Sequence, residues 1–466
     1  MSFSMPPELA FWYARLNATG GCHMCLVQFN FQSLFTASFV ILLMQTLISN
    51  IHYLINTRKH SAVLRGKELA DLPVIENAWL LIEDGIIRDY DSINNRPAPT
   101  FQSSTSNYKL QTLNLQHINA KGATILPCWC DSHTHLVFAA SREDEFVSKL
   151  KGISYAEIAA NGGGILNSAK KLNETSEEIL YEKAWQRLHE LIQLGTGAIE
   201  IKSGYGLSVD GEIKILHVIK ELRKNAPIPV KATFLGAHAY PELYKQNHDG
   251  YIELIINEML PVIAKEQLAD YIDVFCEEGF FSVQETETIC KAGIEYGLKP
   301  KLHVNQLNSI GGIKAGITLN TLSLDHLETL SDDEIIQLAN SGTIATLLPA
   351  AAFFLRMPYQ RARALIDAGC AVALASDFNP GSSPSGNMNF VVSLSCIQMR
   401  MLPAEAINAA TLNGAYAMEL GNEVGSITPG KKANLIFTKP VSSISSLPYS
   451  FGSNLIDRVM VNGEFI

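Results

Sequence analysis

Two imidazoles stand one residue apart in His133-Thr134-His135, within the stretch LPCWCDSHTHLVF at residues 126–138. On a strand, residues i and i+2 point to the same side, so both rings can face one metal ion from one rigid element. An isolated H-x-H is more often just two histidines. Here four more groups that can bind metal or move protons close other strand-like runs: His238, His303, His326 and Asp377. Five of the chain's twelve histidines at such ends, with an acid beside them, are hard to read as packing. Three neutral imidazoles and a carboxylate suit zinc or ferrous iron. A binuclear centre would want a bridging anionic group, often a carboxylated lysine on the fourth strand of the set. That run ends Cys276-Glu277-Glu278, without a lysine. One divalent metal, Zn or Fe, is therefore expected.

Rigid elements must bring these ends together. Eight apolar runs end in polar residues: ILPCWCDSHTH, GAIEIKSGYG, VKATFLGAH, YIDVFCEEG, PKLHVNQ, LSLDHLE, TIATLLP and AVALASDFNPG. Between them lie segments such as SEEILYEKAWQRLHELIQLG and GEIKILHVIKELRKN, with apolar residues three and four apart, the helical spacing. Strands alternating with helices imply an α/β fold with parallel strands, and eight units imply a closed (β/α)8 TIM barrel. In that architecture the chemistry sits at the carboxyl ends of the strands, where these runs carry their histidines, acids and glycines. The barrel is assigned to residues 126–420.

The flanks have another texture. Residues 44–125 alternate apolar and polar positions between D-G and G-rich turns, and residues 421–466 do the same in ANLIFTKP and LIDRVMVNGEFI. One small β-domain built from both chain ends is expected. Residues 1–43 form an extension. The apolar run Ser33 to Ile48 is shorter than the roughly 20 residues of a membrane span, and no basic start with a cleavage site marks a signal peptide. The favoured expectation is that Met44 is the real start or that the extension is dispensable; a membrane anchor is the lesser alternative.

At 466 residues and 47% apolar composition, the chain can bury a sizeable core. Its net charge of -10, from 36 basic and 46 acidic residues, argues against a nucleic-acid or anionic-membrane partner. Eight cysteines in a chain this long are no disulfide framework and fit a reducing, cytoplasmic compartment. Cys22 and Cys25 form a C-x-x-C without a second pair, so a zinc knuckle is not expected. Cys128 and Cys130 read as core thiols.

The stretches HTHLVFAASREDEF, NGGGILNSAKK, EIKSGYGL, TFLGAHAYP, LHVNQ, DHLE, LLPAAAFFLR, ALASDFNPGSSP and GSITPGKKANLIF resemble the imidazolonepropionases, metal-dependent amidohydrolases of histidine breakdown. The resemblance runs from about residue 44 to the end. H-T-H alone marks only the superfamily. The arginine seven residues past the second histidine, the SGYG turn and SDFNPG together look specific to this branch.

The resemblance implies a barrel of the metal-dependent amidohydrolase type with a small β-sandwich domain. It implies hydrolysis of the ring amide of 4-imidazolone-5-propanoate to N-formimidoyl-L-glutamate, with His133, His135, His303 and Asp377 holding the metal. A bound metal brings the pKa of water from about 15.7 to about 7. Asp377 would also accept the attacking water's proton, and His326, with His238, would polarise the carbonyl or shuttle the proton to the ring nitrogen. Arg142 matches the family's contact to the propionate, a carboxylate that a guanidinium can grip through two parallel hydrogen bonds. Its neighbours Glu143, Asp144 and Glu145 suit instead a solvated surface arginine. Tyr205 matches a ring-contacting tyrosine, and Asn379, Gly381 and Ser382 match a loop that contacts substrate or product. A small-molecule substrate and a homodimer are the expected partners.

Gln306 stands three residues after His303, where nucleobase aminohydrolases of similar layout use a glutamate to pass protons. A glutamine can hydrogen-bond but cannot protonate a leaving group, so its expected role is to bind the ring. A deaminase of a heteroaromatic ring is the enzyme alternative, and Gln306 and Arg142 count against it. A barrel that has lost catalysis and serves as a scaffold would lack metal ligands, and none is missing.

Overall fold

The chain runs from one sheet into another with a single residue between them. In a computed structural model that describes residues 44–99, 114–153 and 163–466, β5 (Thr124–Pro127) is followed by Cys128 and then β6 (Trp129–Thr134). The run ILPCWCDSHTH is thus two strands. Ile125, Leu126 and Pro127 pair antiparallel with β14 (Leu435–Thr438), whereas Trp129 onward pairs parallel with β7 (Thr196–Lys202). Residues 1–43, with Cys22 and Cys25, lie outside the described residues.

Among the described residues, the first sheet has eight strands drawn from both chain ends. Its early members are β1 (Met44–Ile55), β2 (Val74–Glu83), β3 (Ile86–Ser92) and β4 (Asn114–Asn119). Its late members are β14, β15 (Ile456–Val461) and β16 (Glu464–Phe465). β1 is long enough to pair β4 along its first half and β5 along its second. Alternating residues of these strands, among them Ile48, Leu54, Leu80, Ile125, Leu435 and Met460, meet in a core of their own.

The second sheet is wholly parallel and runs in strand order from β6 to β13. After β7 come β8 (Val230–Ala237), β9 (Tyr271–Cys276), β10 (Lys299–Val304), β11 (Ser323–His326), β12 (Ile344–Leu347) and β13 (Ala371–Leu374). β7 and β9 are buried at every position, as a parallel sheet covered by helices requires. Backbone bonds join the two edges just past β13: Asp377 N–H donates to His133 O at 2.9 Å, and His135 N–H to Phe378 O at 2.8 Å. The closing seam of the barrel therefore runs through both ends of the metal-binding sequence.

The covering helices form where the apolar spacing put them. Glu177–Gln193 buries Leu180, Ala184, Leu188, Leu191 and Ile192 along one stripe, and Ser176 caps its start by accepting from Ile179 N–H. Val209–Asn225 buries Ile215, Leu216, Ile219 and Leu222, with Ser208 accepting from Gly211 N–H. Among the described residues, no helix is long and apolar enough to cross a membrane.

Candidate active site

The strand ends converge as the spacing implied. The ligand atoms of His133, His135 and Asp377 lie within 4.8 Å of one another, and so do those of His133, His303 and His326. Asp377 Oδ1 is 3.6 Å from His133 Nε2 and 3.7 Å from His135 Nε2. All five residues are buried. His326 (φ 84°) and Asp377 (φ 54°) both hold left-handed backbone, a conformation that costs a residue with a side chain and recurs at functional sites.

Two of the imidazoles have the nitrogen that faces away from the cluster hydrogen-bonded. His133 Nδ1 donates to Asp325 Oδ2 at 2.7 Å, and His135 Nδ1 to Ser203 O at 3.3 Å. His303 Nδ1 lies 2.9 Å from Asp273 Oδ2. With the proton held on Nδ1 in His133 and His135, Nε2 of each presents a lone pair. His133 Nε2 and both ring nitrogens of His303 are buried with no hydrogen-bond partner. Two orphaned lone pairs beside a carboxylate are what a divalent cation would satisfy, so the residues present fit the metal.

Electrostatics separates the rings. Burial holds His133 and His135 well below the usual imidazole range, and nearby positive and imidazole groups add to it. A ligand must be neutral in that way. Burial, helped by His303, takes His238 down to about 3. His326 moves the other way. Burial opposes its charge, but Glu328, whose Oε1 lies 3.4 Å from His326 Nδ1, and then Asp377 hold it up at about 9.

A cavity opens beside the cluster. His135, His238, His303, His326 and Asp377 form its floor, and Tyr205, Gln306, Asn379 and Ser382 reach it from three loops. Phe275, which carries no signal in the sequence motifs, supplies an apolar wall. Arg142 and Gly381 stand beside the lining. A Cβ at Gly381 would overlap Arg142 Nη1, so only glycine lets the guanidinium approach. Glu145, one of the acids that in sequence suit a surface arginine, accepts from Arg142 Nε at 2.9 Å and from Gly164 N–H at 2.9 Å.

Buried carboxylates staple these loops. Glu212 accepts from the N–H groups of Gly204, Gly206 and Leu207 at 2.9, 2.7 and 2.9 Å, which folds the loop around Tyr205. Gly204 (φ +108°) leaves room for His238, whose Nδ1 would stand 2.9 Å from any Cβ there. Glu277 accepts from the N–H groups of Leu307 and Asn308 next to Gln306. Asn379 folds its own loop, accepting from Gly381 and Ser382 N–H at 2.8 Å and donating to Asp377 O at 2.7 Å.

Below the histidines lies a set of charges that the sequence reading did not single out. Lys202 Nζ donates to Glu200 at 2.7 Å and Asp273 at 2.8 Å, and lies 3.5 Å from Asp325. Lys301 pairs with Glu200 as well. The signal was present in AIEIK, YIDVF and SLDH, where charges interrupt strands that are otherwise apolar.

Residues 124–466 match the model of the amidohydrolase family. An imidazolonepropionase of Flavobacterium johnsoniae is 57% identical over 424 residues, 91% of this chain and 100% of that protein. One from a Geobacillus species is 40% identical over 87% of this chain and 94% of that protein. Among solved structures, the guanine deaminase of E. coli superposes with a TM-score of 0.68 at 15% identity, covering 91% of this chain and 98% of that one. A zinc-bound adenosine deaminase of Xanthomonas campestris gives 0.63 at 16%, covering 91% and 92%. At such identities the solved structures speak for the fold, and it is the sequence relatives that decide the branch: this chain belongs to the amidohydrolase family and, within it, to the imidazolonepropionases.

Proposed function

We propose that this protein hydrolyses the ring amide of 4-imidazolone-5-propanoate to N-formimidoyl-L-glutamate, the third step of histidine degradation. One observation carries the reading: a metal-fitting donor set lines one small cavity, and a guanidinium packs on Gly381 of the loop whose Asn379 and Ser382 line it, in a chain 57% identical to an imidazolonepropionase. His133, His135, His303 and Asp377 would hold the metal. A zinc or ferrous ion there supplies a Lewis acid that lowers the pKa of water and polarises a carbonyl.

The protein's own groups then divide the work. The water oxygen adds to the ring carbonyl carbon, the bond from that carbon to the ring nitrogen breaks, and the nitrogen leaves protonated. Asp377 Oδ2, which accepts from Ser382 Oγ at 3.3 Å, takes the water's proton. His326, kept charged beside Glu328, supplies the proton to the nitrogen. His238 has its Nδ1–H committed to Gly204 O at 3.0 Å, so its Nε2 is an acceptor suited to a ring N–H rather than to the carbonyl. Glu145 accepts from both Nε and Nη2 of Arg142, which fixes the plane of the guanidinium and leaves its outer edge to match the propionate. Gln306 binds the ring from a loop that Glu277 anchors. A deaminase on this scaffold would want an acid at position 306.

The described cysteines are all free thiols, which suits a reducing cytoplasm. The test is turnover of 4-imidazolone-5-propanoate, with the product identified and the metal content measured in the same preparation.

A further inference from the structure

Five charged side chains, Glu200, Lys202, Asp273, Lys301 and Asp325, are buried inside the barrel at 0 to 1% exposure. Each such charge is costly to take out of water, and the cost is offset only by close pairing with its neighbours. Three carboxylates against two ammonium groups leave one surplus negative charge under the histidine cluster. Asp325 and Asp273 meet His133 and His303 at 2.7 and 2.9 Å, the two rings whose Nε2 atoms are orphaned. Among the described residues, Lys202 is the ammonium within 4 Å of both carboxylates, at 2.8 Å to Asp273 and 3.5 Å to Asp325. Lys301 bonds Glu200 and the carbonyls of Ser132 and Ala417, and acts on Asp325 only through space.

We propose that Lys202 is a positioning residue of the metal centre. It fixes Asp273 and Asp325 relative to each other, and through them the orientation of His303 and His133, without touching metal or substrate. The inference rests on the metal reading above but not on the identity of the substrate. Partners that orient ligands in this way are typically worth 10- to 100-fold in metal affinity.

The test uses the whole chain and zinc alone, as competition against a chromophoric chelator, with cobalt(II) absorption as a second readout. Lys202→Met removes the ammonium. Lys202→Met combined with Glu200→Gln also removes a carboxylate that touches neither histidine, so the surplus charge returns to that of the parent. The expected result is zinc affinity at least 10-fold weaker in both variants, with an altered cobalt spectrum, and recovered thermal stability in the double variant only. Zinc affinity that recovers together with stability would make Lys202 a charge balance and overturn the proposal. So would parental affinity in the single variant, or failure of both variants to fold in zinc-containing medium. A parent protein that binds zinc but leaves 4-imidazolone-5-propanoate intact would overturn the substrate reading and leave Lys202 in place. A parent that binds no metal would overturn both.

Discussion

Arg142 packs against Gly381 at a distance that only a glycine permits, since a Cβ at position 381 would overlap the Nη1 atom. The first residue follows the first barrel strand and the second follows the last, so the seam that closes the barrel also brings these two loops together. Gly381→Ala should push the guanidinium aside and weaken substrate capture while metal content stays at the parental level. Steady-state kinetics with metal analysis checks this, and an unchanged kcat/KM would show that the guanidinium has room to spare.

Arg142→Lys keeps the charge but loses the paired geometry. Loss of one charge-assisted hydrogen bond costs about 1.5 to 3 kcal/mol, a factor of about ten to a hundred in kcat/KM. A surface arginine would show almost nothing. An unchanged kcat/KM at full metal loading would remove Arg142 from the site and with it the main argument for a carboxylate-tailed substrate.

Glu212→Gln replaces a carboxylate that accepts three backbone N–H groups with an amide that has one acceptor oxygen. At least one buried N–H then loses its partner, which costs about 1 to 3 kcal/mol. The loop that carries Tyr205 should loosen, so the melting temperature should fall and KM should rise. A variant that melts like the parent with the same KM would show that the loop is held by its other contacts.

The sequence made the outer ring of the site legible because the information there is local. H-x-H on a strand, an acid in SDFNPG and histidines closing apolar runs are rare residue types at positions that periodicity alone assigns to one rim. The helices Glu177–Gln193 and Val209–Asn225 were legible for the same reason, an apolar stripe at helical spacing. The layer below was not. Asp325 and His133 are 192 residues apart in the chain, and nothing in either strand says which carboxylate will meet which ring. The role of Glu145 was misjudged because three adjacent acids look alike in sequence, and only the fold decides that the third turns to the guanidinium. The single apolar run that becomes β5 and β6 shows the same limit, since a strand's pairing partner is not written in its own residues.

The most direct test of the central claim is product analysis of a metal-loaded preparation supplied with 4-imidazolone-5-propanoate. The account predicts ring opening to N-formimidoyl-L-glutamate at one metal per chain, lost on chelation and restored by adding metal back. An intact substrate at full loading, or a product that has released ammonia with its ring unopened, would contradict it.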